Sequence, residues 1–268
     1  MTDVRKMYVL NNGRIVMLTN NKVTNDDGGN GEAPAIPIHS FLLDTVKGYV
    51  LFDTGCDPKG MTENWPMWLR ENPYEFADGG TPAQQLALIG LKPADISYVV
   101  MSHLHVDHAG TLSEFTNAEV IVSREEFVKV MRDYAEDKLD GFHVKSDVES
   151  WLKAELNWHL IPQDMEEWEL CPGLKVLNFG PGHAYGMLGL EVVLEESGAF
   201  ILAADTIYTA DHMGPPAKMA GIAYEEEGYY ATIERIRTLA ARDNAKVLFG
   251  HDMEQFGTLI KAGAGFYR

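Results

Sequence analysis

The densest run of chemistry-bearing side chains is Ser102-His103-Leu104-His105-Val106-Asp107-His108-Ala109-Gly110, which puts three of the nine histidines beside an aspartate within six residues. Imidazole nitrogen and carboxylate oxygen, with no competing thiol, suit zinc, iron, manganese or cobalt. In a turn just after a strand, alternate residues point different ways. His103 and His105 would then face one cation, and Asp107 and His108 a second one close by. A solvated polar turn is the plain alternative, and four ligand types in H-x-H-x-D-H weigh against it as one histidine could not. Two cations sharing a water lower its pKa from about 15.7 toward neutrality and so produce a nucleophilic hydroxide. One of them can also polarise a carbonyl and stabilise the oxyanion that develops there. Such chemistry needs no serine or cysteine nucleophile. Cys56 and Cys171 carry no local signature of a catalytic thiol and read as bystanders.

The elements that would carry these residues follow from hydrophobic period and turn residues. Met7–Leu10 and Arg14–Leu18 flank Asn11-Asn12-Gly13, whose Asn-Gly suits a tight hairpin. Ile38–Leu43 and Tyr49–Phe52 form a second hairpin around Thr45–Gly48. A helix runs from an N-cap at Thr81, through Pro82, to Gly90. Ser97–Met101 is a short apolar strand that delivers the histidine run onto a loop. Ala118–Val122 is a strand, and Ser123-Arg124-Glu125-Glu126 opens a helix with a capping box. Residues 130–170 are partly helical. Strands near Leu174–Asn178, Leu188–Leu194 and Phe200–Ala204 precede a helix over Gly228–Arg242, with Ile233, Ile236, Leu239 and Ala240 on one face, and then a strand at Lys246–Phe249. There is no internal repeat and no low-complexity tract. The rhythm of strands, helix, strands, helix predicts an α+β chain of two packed sheets with helices outside.

The chain resembles the metallo-β-lactamase superfamily, whose signature is H-x-H-x-D-H after an apolar strand. Further landmarks follow in order: Phe52-Asp53-Thr54-Gly55, Pro181-Gly182-His183, Ala204-Asp205-Thr206 and Phe249-Gly250-His251-Asp252. The resemblance implies an αββα sandwich of two mixed β-sheets, as a single domain over residues 1–268. It also implies two divalent cations, zinc first and iron, manganese or cobalt as alternatives. One would be held by His103, His105 and His183, the other by Asp107, His108 and His251, with Asp205 and a water or hydroxide bridging them. Asp205-Thr206-Ile207-Tyr208 is similar to the N-acyl-homoserine lactonases and their pyridoxolactonase relatives. So are the opening Met7-Tyr8-Val9-Leu10-Asn11-Asn12-Gly13 and the tail from Gly250 to Tyr267. In those enzymes the phenol matching Tyr208 donates to the carbonyl or leaving oxygen of a ring ester. Asp107 and Tyr208 are therefore the catalytic candidates, and a small lactone is the expected substrate. The sequence departs from the family where P-G-H-x-P-G-H is usual, since Tyr185 stands for the proline and Met187 for the second histidine. That histidine lies behind the ligands, so metal binding should survive its loss.

Other readings are weighed by charge and by ligand type. The 268 residues carry 22 Lys+Arg against 40 Asp+Glu, a net charge of −18, which repels polynucleotides and anionic lipid. A phosphodiesterase of this fold is therefore disfavoured, and a thioester hydrolase is the closer rival. Flavodiiron chemistry would want Glu where His105 stands, and a non-catalytic module would be expected to lack ligands. No apolar run approaches a membrane span, no leader is evident, and two cysteines make no disulfide framework, so the expectation is a soluble cytoplasmic protein. Substrate preference would be set by the loops at 20–37 and 57–80 and by an insert near 123–170. Met61, Trp65, Met67, Trp68, Tyr74 and Phe76 could line an acyl-chain wall, pack the loop against the sandwich, or form a homodimer contact. His39, His143, His159 and His212 lack motif support and read as surface or hydrogen-bonded side chains, with His212 near enough to Tyr208 to line the pocket.

Overall fold

The computed structural model describes residues 2–16, 35–76 and 80–268. Its strands are β1 (Val4–Val16), β2 (Ala35–Thr45), β3 (Gly48–Phe52), β4 (Tyr74–Glu75), β5 (Ile96–Val100), β6 (Glu119–Ser123), β7 (Asn157–Ile161), β8 (Glu167–Cys171), β9 (Leu174–Gly180), β10 (Met187–Leu194), β11 (Gly198–Ala204) and β12 (Lys246–Phe249). The α-helices are α1 (Met67–Arg70), α2 (Pro82–Leu88), α3 (Val106–Ala109), α4 (Arg124–Ala135), α5 (Lys145–Ala154), α6 (Ala210–Met213), α7 (Glu226–Asp243) and α8 (Met253–Thr258).

Two mixed sheets are stacked. One has seven strands in the order β4-β1-β2-β3-β5-β6-β7, and the other has five in the order β12-β11-β10-β9-β8. Period-two alternation decides which side chains meet between them. Phe41 and Leu43 on β2, Phe52 on β3, and Leu188, Leu190 and Val192 on β10 fill the inter-sheet core. The intervening side chains face outward under helices, which explains strands that read as nearly unbroken apolar runs. Leu42 and Leu51 lie with Val130 of α4 and Trp151 of α5. Ile201 and Ala203 lie with Ile233, Ile236 and Leu239 of α7. This is the expected αββα layering.

The elements differ from the sequence reading in three instructive ways. Asn11-Asn12-Gly13 makes no hairpin. β1 runs straight through it as one 13-residue strand, and the register against β2 shifts between Asn11 and Gly13. Asn12 is wholly buried with its amide donating to Ser40 Oγ at 2.7 Å, and Gly13 takes φ +110, so the Asn-Gly pair forms a bulge. Second, Ser123 caps α4 without accepting from its backbone, and its hydroxyl reaches Glu125 instead. Glu126 is thereby released from the expected capping box. Third, the 123–170 segment supplies both α4 and α5 and the outer strands β7 and β8, so much of it is frame. The loop expected from 20 to 37 lies outside the described residues up to position 34, and residues 35–37 already belong to β2. The N-cap at Thr81, which the structure completes as a capping box with Gln84, the β2–β3 hairpin and the long helix α7 stand as the sequence predicts.

Candidate metal centre

The parallel strands β3 and β5 end side by side, and both run into the site. Beyond β3 the chain turns through Asp53 (φ +63) and Gly55 (φ +62). The turn then grips the histidine loop. Thr54 donates to the His108 carbonyl from both its N–H (2.6 Å) and its hydroxyl (2.9 Å), and Gly110 N–H donates to the Gly55 carbonyl at 2.8 Å. A Cβ on Gly110 would come within 2.2 Å of the Asp57 nitrogen, so only glycine permits this approach. On the other sheet, β11 delivers Asp205. The turn carrying Gly250 and His251 is tied to it by N–H donation to the carbonyls of Ile207 (3.1 Å) and Tyr208 (2.9 Å).

Hydrogen bonds on the far nitrogens orient the imidazoles. Asp53 accepts from the Ser102 hydroxyl at 2.8 Å and from His108 Nδ1 at 2.8 Å. With its proton committed to Asp53, Ser102 Oγ accepts from His103 Nδ1 at 3.0 Å. His183 Nδ1 donates to the Ile222 carbonyl at 2.9 Å, and His251 Nδ1 to that of Pro37 at 3.2 Å. Four rings thus turn Nε2 inward, the outer support expected behind metal ligands. His105 is the exception, with Nδ1 facing His183 Nε2 at 3.0 Å.

The inward atoms form two groups, His103, His105 and His183 in one and Asp107, His108, Asp205 and His251 in the other, each with its ligand atoms within 4.8 Å of one another. Asp205 faces both groups, with Oδ1 3.1 Å from His108 Nε2 and Oδ2 3.0 Å from His251 Nε2 and 3.3 Å from His183 Nε2. His103 Nε2, His108 Nε2 and Asp205 Oδ1 are buried without a hydrogen-bond partner, and such a donor set fits two divalent cations. Burial first, then neighbouring imidazoles, hold His103 and His105 below the usual range, in the neutral form that ligates. At His108 and His251 burial is outweighed by the carboxylates of Asp205 and Asp107, which push both upward. Carboxylates that hold a proton there would equally hold a dication.

All seven ligand candidates are therefore brought together, and the sequence landmarks around them fall at the same rim. The family model of the metallo-β-lactamase superfamily matches residues 33–251. The chain belongs to the metallo-β-lactamase superfamily. Within that superfamily it is similar to the N-acyl homoserine lactonase AiiB of Agrobacterium fabrum, 40% identical over 272 residues that cover 98% of this chain and 99% of the relative. It is also similar to the N-acyl homoserine lactonase AttM of Azorhizobium caulinodans, 34% identical with full coverage of both chains. A solved N-acyl homoserine lactone hydrolase, with the product N-hexanoyl-L-homoserine bound at its catalytic metal center, superposes with a TM-score of 0.81 at 25% identity, covering 97% of this chain and 98% of that chain.

At this superfamily centre a cavity opens onto both groups, and its described walls include Ile15, Ile36, Leu69, Val106, Phe142 and Ile222. None of the six apolar residues singled out between positions 61 and 76 lines it. Trp65 and Tyr74 pack in the core, Met61 and Trp68 pack against it, and Met67 and Phe76 are exposed. Tyr208 does line it. Its hydroxyl lies 3.5 Å from His183 Nδ1, and its ring stands edge-on to His251 at 4.9 Å. His212 is buried 5.7 Å from the Tyr208 ring and bonds Thr209 Oγ1, outside the cavity's described lining. His39 stacks on Phe256, and His159 stacks on Trp168. His143 is buried beside Glu126, which the sequence reading takes for a helix cap, and Asp140, to which it gives no role. Burial alone would strip its proton, but Glu126 and Asp140 outweigh that and raise its pKa to about 9.

Proposed function

We propose that this chain is a two-metal hydrolase that opens the ester of a small lactone ring, with N-acyl-homoserine lactones as its substrates. The observation that carries the reading is one cavity in which Asp107, Asp205, His105, His251 and Tyr208 meet a wall of aliphatic and aromatic carbon. A polar ring ester with an alkyl tail matches that division. The lactonase relatives support the substrate class, as does the N-acyl homoserine product in the superposed structure. A net charge of −18 also favours a small neutral substrate over a polynucleotide.

In this reading His103, His105 and His183 hold one cation, Asp107, His108 and His251 the other, and Asp205 stands between them. Nitrogen and oxygen donors without thiolate suit zinc first, and also iron, manganese and cobalt. When bound, the two cations supply an activated water and a Lewis acid for the ester carbonyl. The rest falls to the chain. The apolar wall orients the acyl chain and excludes water from it. Burial first, then the charges of Asp205 and Asp107, hold Tyr208 well above the usual phenol range, so its hydroxyl keeps its proton and donates to the carbonyl or ring oxygen. Asp107, open to the cavity, would take up the proton released when water adds to the ester and deliver it to the ring oxygen as the C–O bond breaks. Cys56 and Cys171 are both free, as in a reducing compartment, which supports a cytoplasmic enzyme. No helix among the described residues is long and apolar enough to cross a membrane.

The test is proton release from metal-loaded protein given N-acyl-homoserine lactones of short, medium and long acyl chain, beside a thioester and a phosphodiester. Metal-dependent turnover of lactones, improving with acyl length, is expected. Turnover of the thioester or phosphodiester without any lactone turnover would overturn the reading.

A further inference from the structure

Glu126 is the third residue of α4 and has no exposed surface. Its Oε1 accepts from the Leu104 N–H at 2.9 Å, between His103 and His105. Its Oε2 accepts from the Gly186 N–H at 3.2 Å, three residues beyond His183. The two segments that bear the first ligand group are thus joined through one carboxylate. Backbone donors in such loops have no strand ladder to satisfy them, and bonds to an ionised acceptor are stronger than neutral ones. The approach is close: a Cβ on Gly186 would fall 2.1 Å from Ser123 Oγ and 3.1 Å from the Glu126 nitrogen.

His143 completes the arrangement. Its Nε2 lies 2.9 Å from Glu126 Oε1, and its Nδ1 lies 3.1 Å from each oxygen of Asp140. Tyr185 stacks on one side of its ring at 5.0 Å and 13°, and His105 stands at 4.6 Å and 68°. The Tyr185 hydroxyl donates to Asp140 Oδ2 at 3.1 Å. His105, Asp140 and His143 also come close enough to be considered as a third cation site. Both nitrogens of His143 are already engaged by carboxylates, and this favours a brace over a ligand.

We propose that Glu126, held by His143, is the positioning residue of the first ligand group, fixing the His103–His105 segment against the His183 segment. The proposal rests on reading His103, His105 and His183 as one metal-binding group, and it is independent of which ester is cleaved. Tyr185, the departure from the family motif, gains a role here, since it covers the brace and ties Asp140 to it.

The test is zinc binding to metal-free protein, followed by competition with a chromophoric chelator, with the melting temperature of the metal-free form as the measure of fold. The variants are E126Q, H143F and their double. E126Q should weaken one of the two zinc equivalents by about 10–100-fold and leave the other unchanged, with the metal-free melting temperature little altered. H143F keeps a ring between Tyr185 and His105 but strands the Glu126 charge, so it should weaken the same equivalent. The double variant should recover part of that loss, because no unpaired charge remains buried. Should E126Q fail to fold, H143F alone decides, since it leaves Glu126 and its two backbone bonds in the chain. Wild-type affinity for both equivalents would overturn the proposal. So would equal weakening of both in step with the metal-free melting temperature, the mark of a merely structural residue. Absence of lactone turnover by the wild-type protein with both zinc equivalents bound would count against the lactonase reading alone.

Discussion

Tyr208 separates a packing role from a chemical one by a single atom. Its ring is fixed between His183 and His251, and the residue lines the cavity onto which both candidate metal-binding groups open. Replacing Tyr208 with Phe keeps the ring and removes only the donor. Loss of one such donor to a developing oxyanion costs about 10²–10³ in rate, so Y208F should lose roughly that factor in lactone kcat, with KM and bound metal nearly unchanged. Steady-state kinetics and metal analysis of the two proteins check this, and equal kcat would return Tyr208 to packing. At this scale the sequence was most legible where chemistry demands a residue type at a short spacing, as in His103, His105, Asp107 and His108. Glu126 was opaque for the opposite reason. Its partners Leu104 and Gly186 lie 22 and 60 positions away, and its local context offered a competing role as a cap. Asp53 was seen only as part of a turn, because its acceptors' work for Ser102 and His108 spans 49 and 55 positions.

Elements were legible where local signals agreed with tertiary packing and misread where they did not. Thr81, Pro82 and Gln84 fix the start of α2 by themselves, and α7 carries its apolar face at helical spacing. The Asn-Gly signal in β1 lost to eleven residues of β2, against which a continuous strand pairs more fully than a hairpin could. Helix α5 contains a further conflict. Asp147 in its first turn is buried, and its Oδ2 has no hydrogen-bond partner. Burial first, then the charge of Asp57, raises its pKa well above the usual carboxylate range. An acid whose folded pKa is raised leaves the fold most stable below its unfolded value near about 3.9, and stability is lost as pH rises from there through the folded value. D147N removes that titration. It should melt higher than wild type near neutral pH, where only wild type meets the penalty of its buried acid, by about 2–4 °C for each kcal/mol of that penalty. The difference should shrink toward pH 4. Melting curves of both metal-free proteins across that range check it, and a pH-independent difference would contradict it.

For the whole molecule, the decisive feature is that the candidate ligands come from both sheets. His103, His105, Asp107 and His108 follow β5 of the seven-stranded sheet, while His183, Asp205 and His251 follow β9, β11 and β12 of the five-stranded one. The rim where they meet sets half-buried Asp107 and buried Asp205 among imidazoles in a chain of net charge −18. Divalent cations there would neutralise the carboxylates and tie the sheets together at one edge, adding to the apolar core that joins them elsewhere. Binding to the folded chain alone stabilises it by about 2.7 kcal/mol per site at a hundred times the dissociation constant. Two sites then give about 5 kcal/mol, or roughly 10–20 °C in melting temperature. Removing metal with a chelator should lower the melting temperature by that order, and returning zinc should restore it in proportion to the logarithm of its free concentration. Because the ligand atoms are buried, added monovalent salt should leave most of the shift in place, whereas a shift produced by cations scattered over the acidic surface would be screened away. Melting curves of chelated and zinc-loaded protein at low and high salt distinguish the two, and a shift that vanishes with salt would place the cations on the surface instead of at the rim.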